Sequence, residues 1–211
     1  MQQEIVQFTP PVSPEPYGEL FALYAHLNLE KKRHQVLLER AMACYPAIRD
    51  RVKTQALIAT PTAAEAGQGF LQLDDARLEA EIFSQLPPEH LRQAFIYFLA
   101  VGDCPQPETD SLVDLLIYDT WGTILVETAR AQLERYLQKK DESLALSCSY
   151  GPGYFNIPRT MILSLRELVD PSKIGMEIMD NTLMLPQKSC AGVYLMATDD
   201  TGFPENQIPA L

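Results

Sequence analysis

The chain has 211 residues, of which 46% are hydrophobic and 21% are charged, and its formal net charge is −11. This apolar content supports a folded core and excludes a chain that is disordered throughout, while the acidic balance argues against a protein that grips nucleic-acid phosphates. No apolar run approaches the roughly 20 residues of a membrane-spanning helix, and residues 1–16 lack the basic start and apolar run of a secretory signal. We therefore expect a cytoplasmic protein with neither membrane nor nucleic-acid partners.

The N-terminal part of the sequence changes from a proline-rich segment to a helical pattern. Residues 1–16 contain four prolines, and proline fixes φ and removes a backbone donor, so this segment is predicted to be an extended arm rather than a packed element. A helical spacing of apolar residues begins at Tyr17, and a second one covers residues 29–44. The second helix is predicted to end before Pro46, since a residue that precedes proline disfavours the α conformation.

The middle of the sequence contains short apolar segments that are typical of strands. Residues 52–59 and 69–73 predict two strands on either side of a loop of small residues at 61–69. Residues 74–83 fit a helix or a strand equally well. Residues 94–101, AFIYFLAV, form a continuous apolar run and are predicted to be a fully buried central strand.

The strongest helical signal covers residues 110–140, where apolar residues recur mostly every four positions. Trp121 and Leu125 belong to this stripe, and we expect them to be buried against the strand at 94–101. Gly122 interrupts the helix at a cost of about 1 kcal/mol relative to alanine. We interpret this glycine as a place where another backbone approaches closely.

The C-terminal part alternates between strands and short helical segments. Strands are predicted at 144–150 and 189–197, a short helix at 159–169, extended structure with a turn at 173–185, and a loose tail at 199–211. Long helices mixed with strands that do not alternate regularly with them favour an α+β fold with a largely antiparallel sheet.

Cysteine and histidine spacing gives no support to a metal site. No two cysteines form a CxxC pair, and the three histidines are far apart in the sequence. We expect free thiols and no bound metal.

Three features could carry function, and each also has a simpler interpretation. One of them, residues 185–192 (LPQKSCAG), also fits a proline-led entry into the last strand, with Gly192 where something packs close. Residues 149–154, SYGPGY, place two glycines around a proline, so their amides are uncovered and the two tyrosines could stack on a flat ring. The same pattern suits an ordinary strand-to-helix turn. Glu127 lies beside the apolar stripe of the long helix, where its carboxylate could accept hydrogen bonds from an amine or a ribose, or could simply be solvated.

Three segments together resemble a known family. GTILVETARAQLERYL at 122–137, GPGY at 151–154 and KIGMEIMDNTLMLPQKSCAGV at 173–193 occur in the order found in the activation domain of cobalamin (vitamin B12)-dependent methionine synthase. They look most similar to the free-standing relatives of that domain, over residues 45–198. The resemblance implies an α+β domain with a twisted, largely antiparallel sheet flanked by helices. It would span residues 17–198 and include N-terminal helices at 17–45.

The resemblance also implies a function. The family domain binds S-adenosylmethionine and docks over a corrinoid-carrying domain, where an electron from a flavodoxin-like donor and the methyl group of S-adenosylmethionine restore methylcobalamin. This chain shows no Asp-x-His-x-x-Gly motif for a corrinoid of its own, so cobalamin would be reached only through a partner chain. The alternative is a protein-interaction module that docks a corrinoid protein without binding S-adenosylmethionine. Whether the chain is itself an enzyme stays open, because it resembles only the activation part of a methyltransferase.

The family residues that bind S-adenosylmethionine correspond to Gly151, Gly153 and Tyr154, and also to Glu127 on the long helix. The family arginine is replaced here by Ser149. An arginine fork pairs bidentately with a carboxylate, whereas serine offers one uncharged hydroxyl. The retained glycines and tyrosine favour a module that binds S-adenosylmethionine, and Ser149 favours the interaction module.

Two other cations of the sequence are candidates for the missing charge. Lys188 lies within the third of the segments that carry the resemblance, and Arg159 lies five residues after the second. The sequence alone does not place either of them near the glycine-tyrosine loop.

Overall fold

An antiparallel sheet forms the centre of the computed structural model, which describes residues 1–102 and 111–204. In chain order, the elements are β1 (Gln2–Phe8), α1 (Gly18–Tyr24), α2 (Lys32–Arg49), β2 (Thr54–Thr60), β3 (Ala64–Gly67), β4 (Phe70–Leu73), β5 (Ala76–Glu79), β6 (Leu91–Ala100), α3 (Leu112–Gln138), β7 (Ala145–Leu146), α4 (Met161–Leu168), β8 (Glu177–Ile178), β9 (Met184–Leu185) and β10 (Ser189–Ala197). The central sheet has the order β1-β2-β6-β10-β7. A three-stranded sheet, β3-β4-β5, and the hairpin β8-β9 stand beside it.

Strand β6 lies in the middle of the sheet and is buried on both faces along residues 94–100. One face is covered by α1, α2 and α3, and the other by the small sheet, α4 and the hairpin. Trp121 and Leu125 of α3 are 0% and 2% exposed. The predicted α+β fold and the buried central strand are confirmed. The apolar stripe of α3 is buried from Ile117 to Leu137, but Val113, its predicted first member, is 41% exposed. Among the described helices, none combines the length and the apolar content needed to cross a bilayer.

The N-terminal segment is the main correction to the sequence-based fold. Residues 2–8 are not a free arm, because they form β1 and pair with β2 from Gln2↔Thr60 to Phe8↔Thr54. The first proline is Pro10, so no proline interrupts β1 and the amides that face β2 can donate to the ladder. The prediction of an unpacked arm was therefore wrong for this half of residues 1–16.

Helix α2 continues past the point where the sequence predicted its end. It runs to Arg49 with Pro46 inside it. Tyr45 is fully buried, its hydroxyl donates to the carbonyl of Pro11 at 2.7 Å, and its ring centroid lies 4.5 Å from that of Trp121. These tertiary contacts outweigh the local preference of a residue that precedes proline.

Four smaller predictions also change. The predicted loop at 61–69 contains β3, the ambiguous segment 74–83 divides into β5 and a 3₁₀ helix at Glu81–Gln85, and the predicted strand 144–150 is reduced to β7 and a single bridge at Tyr150. In the predicted loose tail, Phe203 packs against the core. Residues 103–110 and 205–211 lie outside the described residues, and with them the predicted start of the long helix and the end of the tail.

The carboxylate of Glu4 fastens β1 to the end of α3. It accepts a hydrogen bond from the Tyr136 hydroxyl at 2.8 Å and pairs with the Lys140 ammonium at 2.5 Å. Burial is the largest single influence on the pKa of Glu4 and raises it, but the hydrogen bonds from Lys140 and Tyr136 together bring this pKa below its ordinary value. The ionised carboxylate therefore stabilises the folded state.

We expect the stabilisation by Glu4 to be lost in acid. A carboxyl whose pKa is lowered by folding contributes fully above its unfolded-state pKa of about 4.3, and the contribution disappears as the pH falls through the lower folded-state value. In urea unfolding at a series of pH values, the free energy of unfolding of wild type should exceed that of Glu4→Gln near neutrality. This difference should shrink as the pH falls below about 4. A difference that does not change with pH would show that Glu4 has no such role.

Candidate functional site

A cavity of about 600 Å³ opens where the loop before α4, the hairpin β8-β9 and the start of β10 meet. The loop contributes the ring of Tyr154 and the guanidinium of Arg159, the hairpin contributes its turn, and β10 contributes its first three residues. The lining residues are Pro152, Tyr154, Arg159, Ile162, Asn181, Thr182, Leu183, Met184, Gln187, Ser189, Cys190 and Ala191. The cavity therefore combines apolar walls with amide and hydroxyl groups.

The glycine-tyrosine loop is attached to β10 by two backbone hydrogen bonds. The amide of Tyr150 donates to the carbonyl of Val193 at 2.9 Å, and the amide of Val193 donates back at 3.1 Å. A Cβ at Gly192 would lie 2.7 Å from the carbonyl oxygen of Tyr150. Only glycine at position 192 lets the loop sit this close to the strand.

Of the five residues predicted to bind a cofactor, Tyr154 lines the cavity, and its side chain is half exposed there. Gly151 and Gly153 do not line the cavity but shape its wall. A Cβ at Gly151 would touch the Tyr154 ring at 3.3 Å, and Gly153 has a φ of +92°, which favours glycine. The glycines therefore let the backbone turn and let the neighbouring side chains lie against it.

Ser149 does not line the cavity. Its hydroxyl lies 2.7 Å from the hydroxyl of Tyr97, a buried residue of β6. The residue that replaces the family arginine is thus occupied within the sheet, and it is not among the residues that line the cavity.

Glu127 is the partner of a buried arginine. Its carboxylate lies 3.0 Å from Arg130, which also pairs with Glu134, and Arg130 is only 5% exposed. Burial, and after it the charge of Glu127, raises the pKa of Tyr24 and raises the pKa of Cys190 to about 12. Cys190 belongs to the cavity wall. Glu127 therefore influences the cavity electrostatically, although it does not line it.

The two candidate cations differ in their surroundings. The Lys188 ammonium is 2.7 Å from Asp119 and 3.0 Å from the Thr123 hydroxyl, and its side chain crosses α3 at Gly122. Gly122 thus admits a lysine side chain, and the predicted approach of another backbone was wrong. Arg159 lines the cavity, and its guanidinium has no hydrogen bond or ion pair with any described residue.

Pro152 and the lining residues at 187–191 belong to segments that the sequence singled out, whereas the lining residues of the hairpin were not identified from it. Asn181, Thr182 and Leu183 form the tip of the hairpin β8-β9, and a turn tip of this kind carries no motif. The signal was indirect, because the whole segment 173–193 resembled a family. Within residues 1–102 and 111–204, no group of three or more His, Cys, Asp or Glu side chains is placed to hold a metal ion.

No protein-family model matches this sequence, and no curated protein matches it either. Among solved structures, the crystal structure of the MetH reactivation domain bound to AdoHcy is similar, with a TM-score of 0.69 and 13% sequence identity. The match covers 100% of this chain and 81% of that chain. At this identity the similarity shows the fold alone. The chain thus has the fold of the MetH reactivation domain, in agreement with the resemblance seen in its sequence.

Proposed function

We propose that this protein is an S-adenosylmethionine-binding reactivation module that supports reductive methylation of a corrinoid (cobalamin) protein on another chain. The observation that carries the proposal is the cavity beside Tyr154, in a fold whose solved counterpart holds AdoHcy. AdoHcy is what S-adenosylmethionine becomes when it gives up its methyl group. In this role the chain supplies the nucleoside site, the partner supplies the corrinoid, and a flavodoxin-like donor supplies the electron.

The cavity suits such a ligand in size and chemistry. Its volume of about 600 Å³ lies within the range of small-molecule sites. The half-exposed ring of Tyr154 offers a stacking surface for an adenine, and the side chains of Asn181 and Gln187 can donate and accept hydrogen bonds.

The thiol in the cavity wall is compatible with a reactive methyl donor. A thiolate is a strong nucleophile and would attack a methyl sulfonium, whereas a neutral thiol is far less reactive. Burial, with the charge of Glu127, raises the pKa of Cys190 to about 12. Cys190 is therefore neutral at physiological pH and does not compete for the methyl group.

The mouth of the cavity offers a surface for a partner. Tyr154, Met179, Leu183 and Leu185 are each at least 36% exposed, and Leu183 and Tyr154 belong to the cavity itself. Exposed apolar side chains that cluster at a site are typical of a protein interaction surface. A corrinoid protein that docks here would cover the cavity and bring its cobalt to the methyl group.

The second candidate function is docking without a nucleoside. It is favoured by Ser149, which places an uncharged hydroxyl at the position of the family arginine. That hydroxyl is hydrogen-bonded to Tyr97. This candidate needs the exposed apolar surface but not the cavity.

Calorimetric titration with S-adenosylmethionine separates the two functions. We expect wild type to bind and Tyr154→Ala to bind about tenfold or more weakly, because stacking on an aromatic side chain contributes about 1–3 kcal/mol. Tyr154→Phe is the matched control, since it keeps the ring and should bind like wild type. No binding by wild type, together with a complex with a corrinoid protein in gel filtration, would support the docking function instead.

A further inference from the structure

We propose that Arg159 holds the carboxylate of the bound ligand, so that the cavity selects a nucleoside that carries an amino-acid arm over one that lacks it. The inference rests on the proposed function, because it assigns one group of the proposed ligand to one residue of the cavity. It concerns the carboxylate contact that the chain lacks at position 149, where Ser149 replaces the family arginine.

The charge of the cavity supports this assignment. Arg159 is the one charged side chain in its lining, and no aspartate or glutamate of the described residues lines it. The chain as a whole has a net charge of −11, yet no carboxylate of the described residues pairs with Arg159, which is exposed. An anionic group of a ligand is the natural partner of an arginine that no protein carboxylate neutralises.

The geometry of the loop presents Arg159 to the cavity. An ideal Cβ at Gly153 would lie 3.6 Å from Cγ and 3.8 Å from Nε of Arg159, so the arginine stem lies along the glycine backbone. The guanidinium has no protein partner among the described residues. Its donors are therefore available to a ligand that occupies the space beside Tyr154.

The alternatives are engaged elsewhere. Ser149 is hydrogen-bonded to Tyr97, and Lys188 is neutralised by Asp119 on α3. Neither of them lines the cavity. Arg159 is thus the cation that remains for a carboxylate, ten positions along the chain from the residue that replaces the family arginine.

The test compares two ligands that share the nucleoside and differ in the amino-acid arm. S-adenosylmethionine carries a carboxylate, and 5′-methylthioadenosine lacks the whole arm. We expect Arg159→Gln to weaken binding of S-adenosylmethionine ten- to a hundredfold, the range for loss of a charged hydrogen bond, and to leave binding of 5′-methylthioadenosine within about twofold of wild type. Arg159→Lys keeps the positive charge but not the bidentate fork, so its affinity for S-adenosylmethionine should lie between those of wild type and Arg159→Gln. Arg51→Gln, at an exposed position outside the cavity, controls for the change in net charge.

The outcomes separate this inference from the proposed function. If wild type binds S-adenosylmethionine and Arg159→Gln binds it equally well, the assignment of Arg159 is overturned and the proposed function stands. If Arg159→Gln weakens both ligands by the same factor, the arginine supports the loop rather than the carboxylate, and the assignment is again overturned. If wild type binds neither ligand, both the proposed function and the assignment are overturned.

Discussion

Trp121→Ala will destabilise the protein by about 3–5 kcal/mol, the range for removing a buried tryptophan from a core. Trp121 is fully buried at the centre of the helical layer. Its ring centroid lies 5.2 Å from that of Phe21 on α1 and 4.5 Å from that of Tyr45 on α2, and its indole nitrogen donates to the carbonyl of Ala41 at 2.9 Å. One side chain thus joins three helices, and its loss leaves a cavity that all three must close.

Urea unfolding measures this loss directly. Trp121→Phe keeps an aromatic ring but not the hydrogen bond to Ala41, so it should cost less than the alanine variant. Val113→Ala changes an exposed position on the same helix and should stay within about 0.5 kcal/mol of wild type. An alanine variant at Trp121 with nearly wild-type stability would contradict the role of this residue.

Gly192→Ala will have the largest combined effect on stability and on ligand binding. The added methyl would lie 2.7 Å from the carbonyl oxygen of Tyr150 and 3.1 Å from Cα of Gly151, both backbone atoms that cannot rotate away. Overpacking of this kind costs about 1–3 kcal/mol, and here it also pushes the loop 149–154 off β10. Because Tyr154 belongs to this loop and the Arg159 stem lies beside Gly153, we expect affinity for S-adenosylmethionine to fall with stability.

Gly18→Ala provides the matched control for an added methyl group. Gly18 begins α1, and a Cβ there would meet only the end of the Met42 side chain at 3.8 Å. Since alanine favours a helix over glycine, this variant should be as stable as wild type or slightly more stable. If Gly192→Ala unfolds at the same urea concentration as wild type and binds S-adenosylmethionine equally well, the close approach of loop and strand is needed for neither stability nor binding.

The elements that were predicted well from the sequence are those that contain a long stretch of buried apolar residues. Strands β6 and β10 and helix α3 were predicted because each contains a long buried stretch of apolar residues. Strand β1 does not, since it lies at the edge of the sheet and alternates between exposed and half-buried residues. It is stabilised by pairing with β2, more than 40 positions along the chain, and local sequence contains no sign of that partner.

The candidate site shows the same division. The glycine-tyrosine loop was recognisable because glycine and proline determine the local backbone conformation of a turn. The role of Ser149 was not, because it depends on Tyr97, which lies 52 positions earlier. Arg159 and Lys188 looked equivalent in the sequence, but in the structure Arg159 lines the cavity and Lys188 pairs with Asp119 on α3. Side-chain pairing between distant segments is therefore the information that the sequence pattern lacked.

The order of strands in the central sheet has a consequence for synthesis of the chain. Strand β6 pairs with β2 on one side and with β10 on the other, and the ribosome makes α3 and α4 between β6 and β10. A nascent chain therefore carries β6 with the backbone donors and acceptors of one edge unpaired while more than 80 further residues are added. Unpaired strand edges are prone to association with other chains. We therefore expect the growing protein to be most prone to association with other chains in the interval between the synthesis of these two strands.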